Sequence, residues 1–296
     1  MAKDSQSRFL YLENVYKNYG EKCILDNIDL AVSQGELCTL VGPSGCGKST
    51  LFRLILGQEY PTFGDIFIDG KPAGFPNLDR GIVYQKYSLF PHLSVLDNVL
   101  LGKKLVTGLW GWRKNKREIL TEALVFLEKV KLIEHRGKYP QELSGGMQQR
   151  VAIIQALIMK PKILLMDEPF GALDPGTREH LQIFLLELWK EFKMTIFFVT
   201  HDLEEAVFLG TRVLVLSPYY SDGRGKNTNR GSRIVKDHLL VPNITSTKVK
   251  ESAEFGKLIQ DIRREGFDPA YLQHVTEFDL SHPDSFQTLT EIEKNI

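Results

Sequence analysis

Cysteine is scarce in this chain: Cys23, Cys38 and Cys46 are the only three. An odd, scattered set builds neither a disulfide framework nor a metal cluster. No uninterrupted apolar run is long enough to cross a bilayer. The opening residues Met1-Ala2-Lys3-Asp4-Ser5 lack the apolar core of a secretory signal. Together these absences predict a cytosolic protein. Net charge is missing as well, because 37 Lys and Arg are matched by 37 Asp and Glu. Nucleic acid is therefore not expected as the main partner, since binding phosphate backbones needs a basic surface. No repeat or low-complexity tract interrupts the chain. What remains is ordinary for a globular protein, with 43% hydrophobic and 25% charged residues in 296 positions. That length fits one large domain or two modest ones.

The stretch that organises the chain is Gly42-Pro43-Ser44-Gly45-Cys46-Gly47-Lys48-Ser49-Thr50. It follows an apolar run, Leu37 to Val41, that reads as a buried strand. It precedes Leu51-Phe52-Arg53-Leu54-Ile55-Leu56, which reads as the first turns of a helix. A phosphate-binding loop needs that context. Its glycines allow consecutive N–H groups to converge on phosphate oxygens, and the helix points its positive end at the same oxygens. Lys48 would reach the β- and γ-phosphates and the Ser49 hydroxyl would sit on Mg²⁺. The plain alternative is an ordinary Gly-rich turn between strand and helix.

The rest of the chain predicts an α/β protein with mainly parallel strands. Phe9 to Val15 reads as an edge strand, Tyr16 to Gly20 as a turn, and Ile24 to Val32 as an antiparallel partner. Another small antiparallel strand is expected at residues 64–70 and a short buried one at 82–85. From Val95 to Met159 the pattern is mostly helical, with Ile119, Leu120, Ala123, Leu124, Leu127 and Val130 on one face. Ile163 to Asp167 is a continuous apolar run ending in an acid, the mark of a strand buried on both faces. A helix over 177–192, a strand over 195–199, a helix over 203–209 and a strand over 213–216 follow, implying parallel βαβ connections. Composition shifts near Ser217. The expected division is therefore a main domain over 1–220, with a helical subdomain about 86–160, and a C-terminal extension over 221–296.

Several strand ends carry residues fit for chemistry. Asp167 and Glu168 close the apolar strand; one acid there can hold a metal and the next can polarise a water, unless both merely solvate a loop. His201 ends another apolar strand, and Gln85 a third. Leu143-Ser144-Gly145-Gly146-Met147-Gln148-Gln149-Arg150 is a second Gly-rich helix start that offers donors to an anion. It also reads simply as a Ser144 N-cap with Gln148 in the first turn. A single chain has use for two such sites only if they face each other across a dimer.

In this order the motifs resemble the ATP-binding cassette (ABC) ATPases, over residues 9 to about 217. The resemblance implies an α/β cassette: a phosphate-loop core with a mainly parallel sheet, an antiparallel β subdomain, and a helical subdomain carrying the 143–147 signature. It also implies two cassettes binding two ATP head to tail with Mg²⁺. Carried over by position, Tyr19 stacks on adenine, while the loop Gly42, Pro43, Ser44, Gly45, Cys46, Gly47, Lys48, Ser49 and Thr50 cradles phosphate. Ser49, Gln85 and Asp167 serve the metal, Glu168 is the general base, and His201 meets the γ-phosphate. Ser144, Gly145, Gly146 and Gln148 close on the partner's ATP, with Asp174 at the dimer seam.

Residues 167–174, 140–157 and 200–206 look most like the nitrate, sulfonate and taurine importer group. The implied protein is the ATPase subunit of a membrane importer, peripheral on the cytoplasmic side of the cell membrane. Its implied partners are a second cassette, transmembrane permease subunits and an extracytoplasmic solute-binding protein. The alternatives are an export ATPase and a non-transport ABC protein that clamps a macromolecule. The latter usually carries two cassettes in one chain or a coiled-coil insert, and neither is present.

Two stretches depart from the minimal cassette. Residues 102–117 are longer and more basic than usual, with Trp110 and Trp112 beside Arg113, Lys114, Lys116 and Arg117. They read as a basic loop, either solvated or touching a membrane surface or membrane subunit. In the tail, Phe255, Leu258, Ile259 and Ile262 predict an amphipathic helix near 251–265. Gly266 is expected to stop it and Asp268-Pro269 to start the next. Its apolar face must dock on its own cassette or on the partner's tail.

Overall fold

The computed structural model describes residues 8–85, 88–225, 229–240 and 250–294. In chain order the elements are β1 (Leu10–Tyr19), β2 (Lys22–Val32), β3 (Leu37–Val41), α1 (Lys48–Leu56), β4 (Phe63–Ile68), β5 (Lys71–Pro72) and β6 (Arg80–Val83). Next come α2 (Val95–Lys129), α3 (Gly145–Leu157), β7 (Ile163–Asp167), α4 (Pro175–Phe192), β8 (Thr195–Val199), α5 (Leu203–Leu209) and β9 (Arg212–Ser217). The chain ends with β10 (Tyr220–Ser221), β11 (Arg233–Leu239), α6 (Ala253–Phe267), β12 (Gln273–His274) and α7 (Glu291–Lys294). Two compact units divide it: residues 1–76 with 188–296, and residues 77–187.

The first unit holds an antiparallel sheet in the order β2-β1-β4-β5. β1 is interior to this sheet, not the edge strand its loose alternation predicts, because it pairs with β2 on one side and β4 on the other. Its inward residues Leu10, Leu12 and Val15 are fully buried. The expected turn at 16–20 is also displaced. Lys17, Asn18 and Tyr19 go on pairing with Leu25, Cys23 and Lys22, and the chain reverses only at Gly20 and Glu21.

β3 lies between β8 and β9, parallel to both. All five of its residues are buried, as expected of a strand covered on both faces. β11 runs antiparallel to β9. The segment beyond 220 is thus part strand, not helical throughout, and it belongs to this unit. In α6, Ser252 is the N-cap, its hydroxyl accepting from Phe255 N–H at 3.2 Å. Phe255 and Ile262 are buried, and Leu258 and Ile259 pack against the cluster that Ile262 forms with Ala206, Val213 and Val215. The apolar face is therefore docked on its own unit, with Leu258 and Ile259 still partly exposed.

Gly266 does not stop the helix. It lies inside α6 at a contact where a Cβ would fall 2.2 Å from Val215 Cγ1, so the residue is small for packing. Asp268 begins a turn, not a helix: its Oδ1 accepts from Ala270 N–H at 2.9 Å and its carbonyl from Tyr271 N–H at 3.1 Å.

The second unit pairs β6 and β7 in parallel, Val83 opposite Met166. α2 starts at the Ser94 cap, whose hydroxyl accepts from Asp97 N–H at 3.1 Å. Asn98, fully buried, ties the entry loop to the helix by donating to the carbonyls of Phe90, Leu93 and Ser94. Ile119, Ala123, Leu127 and Val130 turn inward as their spacing predicts, joined by Phe126. Residues 102–117 are not a loop. They continue α2, with one break in helical geometry at Gly108 (φ 61°, ψ −177°). The helical period is hard to see there because most of the stretch is exposed and none of it is fully buried, so no apolar stripe marks the face.

Candidate nucleotide site

In the first unit the chain leaves β3 at Val41 and enters α1 at Lys48. Gly42 passes so close to the neighbouring strand that a Cβ would lie 2.1 Å from the Leu216 carbonyl oxygen. Gly47, the N-cap, has φ 102° and no side chain to cap the helix. The first bond of α1 runs from Leu51 N–H to Gly47 O at 2.9 Å. The amides of Lys48, Ser49 and Thr50 precede it and are not used by the helix, so they stand available to an anion.

Lys48 curls back over the loop, donating from Nζ to the carbonyls of Gly42 (2.7 Å) and Pro43 (3.1 Å). A cation is thus pinned to the loop that ends in the unused amides of the helix start, a cradle for phosphate groups. Ser44, Gly45 and Ser49 are exposed along it, and Thr50 is buried. Cys46 contributes backbone only. Its side chain is buried and that burial pushes the thiol pKa up, so it packs and does not react.

Two other expected residues belong to this unit. His201 is exposed just past β8. Val199 of β8 pairs with Leu40 of β3, and Thr200 N–H donates to Leu40 O at 3.2 Å, so His201 emerges at the same sheet edge as the loop. Thr200 and Asp202 fix its flanks: the Thr200 hydroxyl donates to Glu205 at 2.5 Å, and Asp202 caps α5.

Tyr19 ends β1, 44% exposed, with Lys17 Nζ 5.0 Å from its ring centroid. Its hydroxyl donates to Glu59, which also pairs with Arg53 at 2.7 Å and Lys17 at 3.1 Å. Partial burial opposes the Glu59 charge, yet these hydrogen bonds and cations hold its carboxyl below the usual range. Sequence reading missed this bracing of Tyr19, because Lys17, Arg53 and Glu59 come from separate elements and only the fold brings them together.

The second unit carries the remaining residues. Val83 and Met166 are register partners, so Gln85 and the Asp167-Glu168 pair leave the β6–β7 ladder at one edge. Gln85 is exposed; Asp167 and Glu168 are half-buried. Glu168 has φ 46°. Among the described residues, the other non-glycine residues with positive φ are Asn14, Asn27, Asp69 and three lysines, Lys131, Lys160 and Lys193, just past helix ends. Asn and Asp tolerate this conformation and helix ends call for it. Glu168 has neither reason, and held strain of this kind collects at working sites.

Ser144 caps α3, its hydroxyl accepting from Met147 N–H at 3.4 Å. Ser144 is exposed, Gly145 half-buried and Gly146 buried; Gln148 donates to Leu143 O at 3.2 Å. Asp174 is exposed at the start of α4, where Oδ1 accepts from Thr177 N–H at 3.0 Å. That hydrogen bond holds its carboxyl below the usual range. Ser144 and Asp174 thus both act as helix caps in the chain itself. Gln149, fully buried with neither side-chain polar atom partnered, was not singled out by sequence.

Comparison with known proteins adds the wider context. The family model described as "ABC transporter" matches residues 25–171. An ABC transporter ATP-binding protein of Methanocaldococcus jannaschii is 47% identical over 219 residues, covering 73% of this chain and 80% of that one. The nitrate import ATP-binding protein NrtD of Synechocystis is 48% identical, covering 67% and 72%. The aliphatic sulfonates import ATP-binding protein SsuB of Bacillus anthracis is 37% identical, covering 83% and 94%. Among solved structures, cbiO1 of Clostridium perfringens, part of the ABC transporter complex cbiONQ, superposes with a TM-score of 0.69 at 26% identity. It covers 87% of this chain and 95% of that one.

Proposed function

This chain belongs to the ABC transporter family, and from that premise we propose that it is the ATP-hydrolysing subunit of a membrane importer for a small anion such as nitrate or a sulfonate. The observation that carries the reading is the phosphate cradle: Lys48 fixed over the loop by two carbonyls, ahead of a helix start with uncommitted amides. The import relatives supply the transport half of the reading.

Lys48 and the loop amides grip the phosphates. Tyr19, steadied by Glu59 and Arg53, offers its ring to the adenine. Ser49, Gln85 and Asp167 would hold Mg²⁺, since hydroxyl, amide and carboxylate oxygens suit a hard cation. Bound with ATP, that ion would neutralise phosphate charge. Glu168 accepts the proton of the attacking water. His201 steadies the γ-phosphate from the edge it shares with the loop. Ser144, Gly145, Gly146 and Gln148 complete the partner cassette's site, with Asp174 at the seam.

Among the described residues no helix is long and apolar enough to cross a membrane. The link to the membrane is proposed to be permease subunits, which hold the chain on the cytoplasmic face and receive solute from a binding protein outside. The second unit offers a place for them. A cavity of about 420 Å³ beside β6 is lined by Leu78, Ile82, Tyr84, Phe90, Leu101 and Met159. Tyr84 immediately precedes Gln85, so a permease helix seated there would bear on a residue that serves the nucleotide.

The reading is tested by copurifying the chain with its membrane subunits and assaying ATP hydrolysis in vesicles. A binding protein loaded with nitrate or an alkanesulfonate should raise turnover above that with the empty binding protein, with solute accumulating on the binding-protein-distal side. Turnover indifferent to every such solute, or movement in the opposite direction, contradicts it.

A further inference from the structure

The kinked part of α2 carries an exposed surface that nucleotide chemistry does not use. After the break at Gly108 the helix resumes with Leu109 and Trp110, which are 82% and 86% exposed. Arg113, Lys114, Lys116 and Arg117 follow, all exposed. At 3.6 residues per turn, Leu109 lies beside Arg113 and Lys116, and Trp110 beside Lys114 and Arg117. These six share one side of the helix. The flank next to Leu109 and Lys116 turns inward and holds Trp112, half-buried, with Ile119 and Ala123, which are buried. Trp112 lies under Lys104, whose Nζ is 5.3 Å from a ring centroid. The two indoles therefore part company: one packs locally, and the other faces outward.

The outward side has four cations, and none of them forms an ion pair among the described residues. Elsewhere on α2 cations are matched: Lys104 pairs with Asp97 at 2.7 Å and Lys103 with Glu122 at 3.7 Å. No carboxylate lies on the outward side; Glu118 falls at its margin. The whole chain has zero formal charge, so this is a local concentration of positive charge, not a share of a basic surface.

We propose that this side of α2 binds the anionic headgroups of a phospholipid surface directly. Lys and Arg reach headgroup phosphates while their stems lie over apolar surface. An indole and a leucine on the same side suit the boundary between headgroups and acyl chains. An acidic protein segment would satisfy the cations but gives no reason for a leucine and an indole to stand in water between them. Placement agrees with the proposed function, because Leu101 and Gly102 of the same helix line the cavity assigned to a permease. The lipid contact itself does not depend on that assignment and is measured with the chain alone.

The full-length chain, without nucleotide, is floated with vesicles of phosphatidylcholine alone or with added phosphatidylglycerol. Binding is expected only with phosphatidylglycerol and should fall as salt rises. Each cation is worth about fivefold in partitioning, so R113Q/K114Q/K116Q/R117Q should lose several hundredfold, roughly, with ATP hydrolysis and melting unchanged. In a W112F/W189F background, Trp110 emission should shift to the blue on adding the anionic vesicles. Absence of binding to anionic vesicles, or equal binding by the quadruple variant, overturns the proposal. So does a quadruple variant that keeps vesicle binding but dissociates from permease subunits in detergent, since the surface would then belong to a protein partner.

Discussion

A Glu168→Gln chain is expected to bind ATP as the wild type does and to hydrolyse it about 10²–10⁴-fold more slowly, the range a general base contributes. The reason lies in which state each group serves. In the proposed mechanism Lys48 and the loop amides hold ATP before reaction, whereas the Glu168 carboxylate acts on water only as the bond to the γ-phosphate breaks. Gln has the same length and planar end, so the φ 46° backbone at this position is not asked to change. Single-turnover hydrolysis with a parallel nucleotide-binding titration separates the two effects. Lys48→Ala should show the reverse pattern, with binding weakened first. Near-normal turnover in Glu168→Gln would remove the base from this residue.

The second large effect concerns stability. Arg212 is fully buried on β9 and forks onto Asp237 of β11 at 2.6 and 2.5 Å. It also donates to the Ala31 carbonyl and pairs with Glu36 at 3.4 Å. Burial opposes the guanidinium charge, but the hydrogen bonds and charge of Asp237, with Glu36, raise its pKa above the ordinary arginine value. Arg212→Met leaves Asp237, 3% exposed, without its cation. The expected loss is about 3–5 kcal/mol, read as a lower denaturant midpoint, because an uncompensated buried charge costs far more than the pair contributes. Arg212→Met with Asp237→Leu should recover most of it. A single variant as stable as the wild type would show that Asp237 finds water or another partner.

Where sequence reading succeeded, the cause was local. The Gly-rich turn between β3 and α1 declares itself within nine residues, since the flanking strand and helix are written in adjacent apolar runs. Ile163–Asp167 and Thr195–Val199 are legible for the same reason: a strand buried on both faces needs no knowledge of its neighbours. Where reading failed, the deciding partner was remote. β1 alternates like an edge strand, and only its pairing with β4, some fifty residues on, makes it interior. Gly266 looks like a helix stop until Val215 is found against it. The buried Arg212–Asp237 pair and the Glu59 brace on Tyr19 have no local signature at all. Residues 102–117 were misread for the opposite reason: a helix with one side in water and few inward contacts shows no stripe.

The importer relatives and the cassette fold agree with the motif order, but the working unit proposed is a pair of chains. Ser144 and Lys48 of one chain are assigned to different ATP molecules, and that is open to direct measurement. A Ser144→Arg chain and a Lys48→Ala chain are prepared separately, then mixed, and vanadate-trapped nucleotide is counted in each preparation and in the mixture. Each variant alone lacks a complete site in every pair it can form. A mixed pair holds one complete site, made from Lys48 of the first chain and Ser144 of the second. The account predicts trapped nucleotide in the mixture and little in either variant alone; a mixture that traps no more than its components, or a Ser144→Arg chain that traps as the wild type does, would contradict it.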